Sequence, residues 1–90
     1  MLTPEQCRAA RGWLGWTQQE LATKAGVGLS TLRAFEAGTR APIRNNLGAL
    51  RHAIEVGGVR LLFDGEKATG IASGDAGPGQ VTEAAAASDL

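Results

Sequence analysis

One cysteine, one histidine and no apolar run of membrane-spanning length: these scarcities bound what a 90-residue chain can do. The lone thiol, Cys7, excludes an internal disulfide framework and cannot by itself build a thiolate metal site. It lies on the apolar face of a predicted first helix, where a small buried residue is the natural reading. His52 has no cluster of Cys, Asp or Glu at ligand spacing around it, so it reads as a helix-surface side chain and not as a metal ligand or a general base. No glycine-rich phosphate loop is present either. Gly26 and Gly28 flank Val27 in a G-x-G, but that motif follows a helix and not a strand, and it lacks the third glycine of a dinucleotide fingerprint. With no convergent polar cluster, catalysis is rejected, and neither a cofactor nor a metal is expected. The N-terminus lacks the basic-then-apolar layout of a signal peptide, so the chain is read as cytoplasmic, with no membrane contact.

What is present is an ordinary globular composition, 43% apolar and 20% charged, with a formal net charge of zero. That zero hides a split. Residues 1–60 carry eight basic side chains against four acidic ones, a net of +4, and residues 61–90 carry one basic against five acidic, a net of −4. A basic front half with an acidic tail fits a nucleic-acid-binding module, although +4 predicts only weak non-specific binding at physiological salt. A single domain of this size has a small core, which a second subunit would help to stabilise.

The front half reads as consecutive helices. Thr3 and Gln6 form a capping box around Pro4 at the first helical position, and Cys7, Ala10 and Leu14 mark the buried face of that helix, with Arg8 and Arg11 beside it. Trp16, just before the next cap, is expected in the core, stapled against Leu21 or its neighbours. Trp13, with Leu14 already inward beside it, is expected half exposed, folded over the end of the domain. Thr17 and Glu20 make a second capping box; Leu21, Ala22 and Ala25 follow as an apolar stripe, and Gly26 ends the helix with Val27 as a plug beneath the turn. A shorter helix opens at Gly28 or Leu29 and stops at Gly38. Leu32 and Phe35 face inward, leaving Leu29, Ser30, Thr31, Arg33 and Ala34 for the outer face or its edges. A loop containing Arg40, Pro42 and Arg44 leads to a last helix, capped by Asn45 or Asn46, with Leu47, Leu50 and Ile54 on its inner side and Gly57-Gly58 at its end.

The sequence then changes period. Val59-Arg60-Leu61-Leu62-Phe63 reads as a strand, Asp64-Gly65 as a turn, and Ala68 to Ala72 as a weak return strand. An isolated hairpin is marginal in water, so pairing of this strand with its copy in a second chain, burying Leu61 and Phe63 as well as Val59, is the expected solution. From about Ser73 onward the Gly-, Ala- and acid-rich composition predicts a flexible tail.

Two helices joined by a short glycine-containing turn make a helix-turn-helix, whose second helix fits the DNA major groove. The stretch WTQQELATKAGVGLSTLRAFEAGTRAP closely resembles the lambda-repressor/Cro-like (XRE) helix-turn-helix family through Gln18, Leu21, Ala22, Gly26, Val27, Leu32, Glu36, Gly38 and Pro42, and more loosely from about Thr3 to Gly58. The resemblance implies an all-α, compact four- to five-helix DNA-binding domain over residues 1–58. A strand or hairpin at 59–72 serves dimerisation, and a tail occupies 73–90. It implies that Leu29, Ser30, Arg33 and Ala34 face bases, that Gln18, Thr31, Arg40 and Arg44 serve the phosphate backbone, and that Arg11 pairs with Glu36 as scaffold. Arg33 is the strongest base reader, because a guanidinium can contact guanine O6 and N7 together. Leu29 and Ala34 offer only apolar contact where relatives place Gln or Asn.

The function implied is a DNA-binding transcriptional regulator, a repressor, working as a homodimer on double-stranded DNA. The alternative is a protein-interaction helix-turn-helix module, or an antitoxin-type autorepressor, that uses Leu29, Ala34 and Trp13 to bind a protein partner.

Overall fold

The computed structural model describes residues 1–74; the tail expected beyond Ser73 lies, from residue 75 on, outside the described residues. Four helices, α1 (Pro4–Leu14), α2 (Gln18–Ala25), α3 (Leu29–Glu36) and α4 (Arg44–Val56), precede two strands, β1 (Val59–Asp64) and β2 (Lys67–Ser73). The architecture is therefore four helices plus an antiparallel hairpin, and an all-α label omits the hairpin. Ser73, expected to begin the tail, ends β2 opposite Val59.

Local chemistry accounts for the helix ends. Both capping boxes are closed: Thr3 Oγ1 accepts from the Gln6 amide while the Thr3 amide donates to Gln6 Oε1, and Thr17 with Glu20 repeats the exchange. Gly26 leaves α2 at φ 69°, the left-handed region that glycine enters without a Cβ clash, and buried Val27 follows it. At the end of α3 the Gly38 and Thr39 amides donate back to Phe35 and Ala34 carbonyls, so α3 stops before the loop. The start of α4 differs from the sequence expectation. Ile43 is the N-cap and supplies no side-chain hydrogen bond, while Asn45 and Asn46 fall inside the first turn. Pro42 keeps Ala41 out of the helical region, and the amides of Asn46 and Leu47 donate to the Ile43 carbonyl, so the first turn closes on the backbone without a side-chain cap.

Leu21, Leu32, Leu50, Ile54, Val59 and Cys7 are the largest side chains withdrawn from solvent, so every helix and β1 contribute to one core. Burial of each aliphatic side chain stabilises by about 1.5–3 kcal/mol. Leu14, Leu47 and Trp16 lie at its margin, half-buried. Trp16 is thus not a full core residue: its ring lies beside Gly57, where an added Cβ would come within 2.6 Å of it, and Lys24 Nζ stands 4.9 Å from its centroid. Trp13 is 64% exposed, projecting further than the half-exposed, folded-over position expected for it.

The hairpin is a folded part of the protomer. Val59 and Leu61 are buried in the chain's own core, Phe63 packs partly against it with the Arg51 guanidinium 5.5 Å from its ring, and Leu61 faces Ile71. Val59 and Leu61 are thus covered within the protomer, and Phe63 remains half-exposed. In the register, Leu62 pairs with Gly70 and Phe63 with Ala68, so Thr69 is an extra, bulged residue on β2. Buried Gln6 secures this point: its Nε2 donates to the Leu62 carbonyl at 3.0 Å and to the Gly70 carbonyl at 3.1 Å. One glutamine thus closes the cap of α1 and ties α1 to both strands.

Candidate nucleic-acid interface

The turn between α2 and α3 holds only Gly26, Val27 and Gly28, and Gly28 is the N-cap of α3. Leu32 and Phe35 anchor α3 inward, which leaves Ser30 and Arg33 exposed and Thr31 and Ala34 half-exposed along its outer side. Leu29 is half-buried and packs partly against the core, so it presents only an edge. Beyond α3, a shallow depression is lined by Ser30, Thr31 and Ala34 together with Arg40, Pro42, Ile43 and Asn46. The fold therefore brings Arg40 beside the outer face of α3. Arg44 is exposed at the first position of α4 but does not line that depression. Among the described residues, the side chains of Arg33, Arg40 and Arg44 make no hydrogen bond or ion pair with the protein, leaving their charges available to a ligand.

Behind this surface Glu36 collects four donors. Arg11 reaches it twice, Nε to Oε2 and Nη2 to Oε1, both at 2.8 Å. Gln18 Nε2 donates to Oε1 at 3.0 Å, and Cys7 Sγ donates to Oε2 at 3.1 Å. Arg11 Nη1 also donates to the Trp16 carbonyl, and Arg8 Nη1 to the backbone carbonyl of Glu36. Burial works against ionisation of Glu36, but the hydrogen bonds from Arg11, Gln18 and Cys7 outweigh it and hold the carboxyl below its ordinary pKa. The same bond to Glu36 raises the pKa of Arg11. Burial pushes the Cys7 thiol well above its ordinary value, and the neighbouring Glu36 adds to the shift. The chemistry of this cluster is that of a brace: one ionised carboxylate at the last residue of α3 locks that helix to α1 and α2.

The Arg11–Glu36 pair follows from the resemblance alone, and the bond from Gln18, a phosphate contact by resemblance, to Glu36 has no counterpart in the sequence signals. The thiol of Cys7 and the amide of Gln6 went unnoticed as donors. A polar side chain at a position the helical stripe marks as inward, as Gln6 is between Thr3 and Ala10, is the signal that could have identified the second.

No curated protein matches the chain significantly. A helix-turn-helix family profile matches residues 8–57, from α1 through the end of α4. That family is one of DNA-binding regulatory domains and not of enzymes. Among the described residues, no helix is long and apolar enough to cross a membrane. With more than half of its length matched, and with the matched segment folded into the helix pair and turn described above, the chain belongs to the lambda-repressor/Cro-like (XRE) helix-turn-helix family of DNA-binding regulators.

Proposed function

We propose that the protein is a sequence-specific transcriptional repressor that binds double-stranded DNA as a homodimer, with α3 of each protomer in the major groove. The observation that carries this reading is the outer side of α3, where Ser30 and Arg33 are exposed and Arg40 stands beside them with no hydrogen-bond or ion-pair partner among the described residues. Ser30, Arg33, Ala34 and the exposed edge of Leu29 face bases; Thr31, Arg40 and Arg44 contact phosphates, which set register and supply affinity. Gln18, already held by Glu36 through one carboxamide N–H, keeps its second N–H to donate to a phosphate oxygen at the start of α2. Ala34 and Leu29 reach only a thymine methyl, so Arg33 supplies the main base discrimination, at about 1–3 kcal/mol.

Selection of bound sequences from a random duplex pool tests this. An inverted repeat with half-sites about one helical turn apart, ~34–36 Å, is expected, with loss of a preferred G·C pair for R33A. Absence of any enriched sequence would refute it. A second reading, a module that binds a partner protein, is favoured by Trp13, which stands 64% exposed on α1; in that case W13A abolishes partner capture and leaves DNA binding unchanged.

A further inference from the structure

A groove between α2 and α4 is lined by Trp16, Lys24, His52, Ala53, Val56 and Gly57, and it shares no residue with the depression beside α3. Its floor is apolar. Ala53 is buried, Trp16 is half-buried with its ring beside Gly57, and Val56, at 72%, is the most exposed large apolar side chain among the described residues. Its rim is basic: Lys24 Nζ lies over the Trp16 ring, and His52 is exposed one turn before Val56 on α4. The acidic neighbours are engaged elsewhere. Glu20, four residues before Lys24, accepts from the Thr17 amide, and Glu55, three residues after His52, pairs with Arg51. Such a groove fits an aliphatic side chain carried close to a carboxylate.

The chain's own continuation carries that pair. β2 ends at Ser73, opposite Val59, and Val59 follows Gly57 by two residues, so the chain leaves the hairpin within ~13 Å of the groove. Beyond Gly74 the sequence runs DAGPGQ and then VTEAAAASDL. Val81 is the only valine, leucine or isoleucine between Asp75 and Asp89, and Glu83 follows it by two positions. In an extended segment residues two apart share one face, ~6.6 Å from each other, which matches the ~5–6 Å between His52 and Val56 on α4. Asp89 and Leu90 are adjacent and would face opposite ways. A glycine-rich coil of the seven residues from Gly74 to Val81 spans ~15 Å. That is close to the span required, the condition under which a tether gives its highest effective concentration. We propose that residues 81–83 of this chain dock in the groove, running from the Gly57 end toward the start of α4. Val81 covers Val56 and the Trp16 ring, Glu83 sits between Lys24 and His52, and Thr82 faces water. The contact shields the apolar end of α4 and leaves the α3 face free, so it neither needs DNA nor blocks it.

Nuclear magnetic resonance of the full chain without DNA tests this. Nuclear Overhauser contacts are expected from the Val81 methyl protons to the Trp16 indole and Val56 methyl protons, with the amides of residues 81–83 more restrained on the ps–ns timescale than those of 75–79 and 85–90. V81D should abolish the contacts. E83K sets a cation before Lys24 and should lower the ratio of docked to free segment about fivefold, and K24E/E83K should restore it. Amide shifts in α1, α3 and β1 that match the unchanged protein's show that each variant keeps the fold. In a mixture of labelled and unlabelled chains the contacts should arise within one copy; contacts between copies would give the groove to a second molecule and overturn the proposal. Uniform free-coil motion across residues 75–90, contacts from Val81 to Arg33 or Arg40 in place of Trp16, or a Trp16 environment indifferent to V81D and E83K would each overturn it too.

Discussion

Arg11 and Glu36 meet in a two-pronged ion pair, Nε to Oε2 and Nη2 to Oε1 at 2.8 Å each, joining the last turn of α1 to the last residue of α3. The carboxylate is almost fully buried, its side chain 2% accessible, and the guanidinium is 21% accessible. Removal of either partner strands a charge or several donors in the interior. The pair thus fixes the angle at which α3 leaves the core, and α3 is the helix proposed to enter DNA.

R11A should destabilise the domain by about 3 kcal/mol, because it leaves a buried carboxylate without its main partner. R11K should recover little, since an ammonium cannot reproduce the fork. Urea unfolding followed by circular dichroism measures both; equal stabilities of R11A and the unchanged protein would remove the brace from the account.

Acid should weaken the fold through the same group. The native pKa of Glu36 is lowered, so the unfolded chain takes up this proton first as pH falls. The associated stability is complete above the ordinary carboxylate range of about 4–4.5 and is lost as pH falls through the native value. E36Q should be less stable at neutral pH and should lose less stability than the unchanged protein between about pH 6 and pH 3. Parallel stability curves for the two proteins would contradict the assignment.

Cys7 should be inert in the native state. It is inaccessible, its pKa is raised, and the thiol is the donor to Glu36. Alkylation by a neutral thiol reagent should follow the opening equilibrium and accelerate with urea. The raised pKa adds a second consequence: stability from this group is complete below the ordinary thiol value and declines above it, where only the unfolded chain ionises. Rapid native-state labelling would exclude the buried position.

Q6A should loosen the hairpin more than the helices, since it removes both bonds to the strand carbonyls and one half of a capping box. A loss of about 2 kcal/mol is expected from two buried acceptors left unsatisfied. Hydrogen exchange should quicken first in Leu62–Ile71. Uniform quickening across all helices would show that Gln6 supports the whole domain instead.

The helices were legible because their signals are local. Thr3 with Gln6, Thr17 with Glu20, Gly26 and Gly38 each fix an end by chemistry within a few residues. What the sequence leaves weak or open depends mostly on contacts distant in sequence. The return strand read at Ala68 to Ala72 is present as β2, and what its Ala- and Gly-rich sequence does not show is the bond from Gln6, at the far end of the chain, to the Gly70 carbonyl. Trp16 packs at the margin of the core with its ring beside Gly57, far along the chain, and the cap of α4 is Ile43 and not either asparagine. At the candidate interface, α3 and its exposed residues could be read from spacing and resemblance. The half-burial of Leu29 and the bond between Gln18 and Glu36 required the packing.

Affinity for duplex DNA across a range of salt concentrations, compared for the unchanged protein and R40A, tests the DNA-binding role of α3 most directly. Binding should weaken linearly in log–log form as salt rises, and R40A should bind less tightly with a slope shallower by about one phosphate contact. No binding at low salt, or an R40A line that coincides with the unchanged protein's, would contradict the claim that this face of α3 and the loop beside it grip DNA.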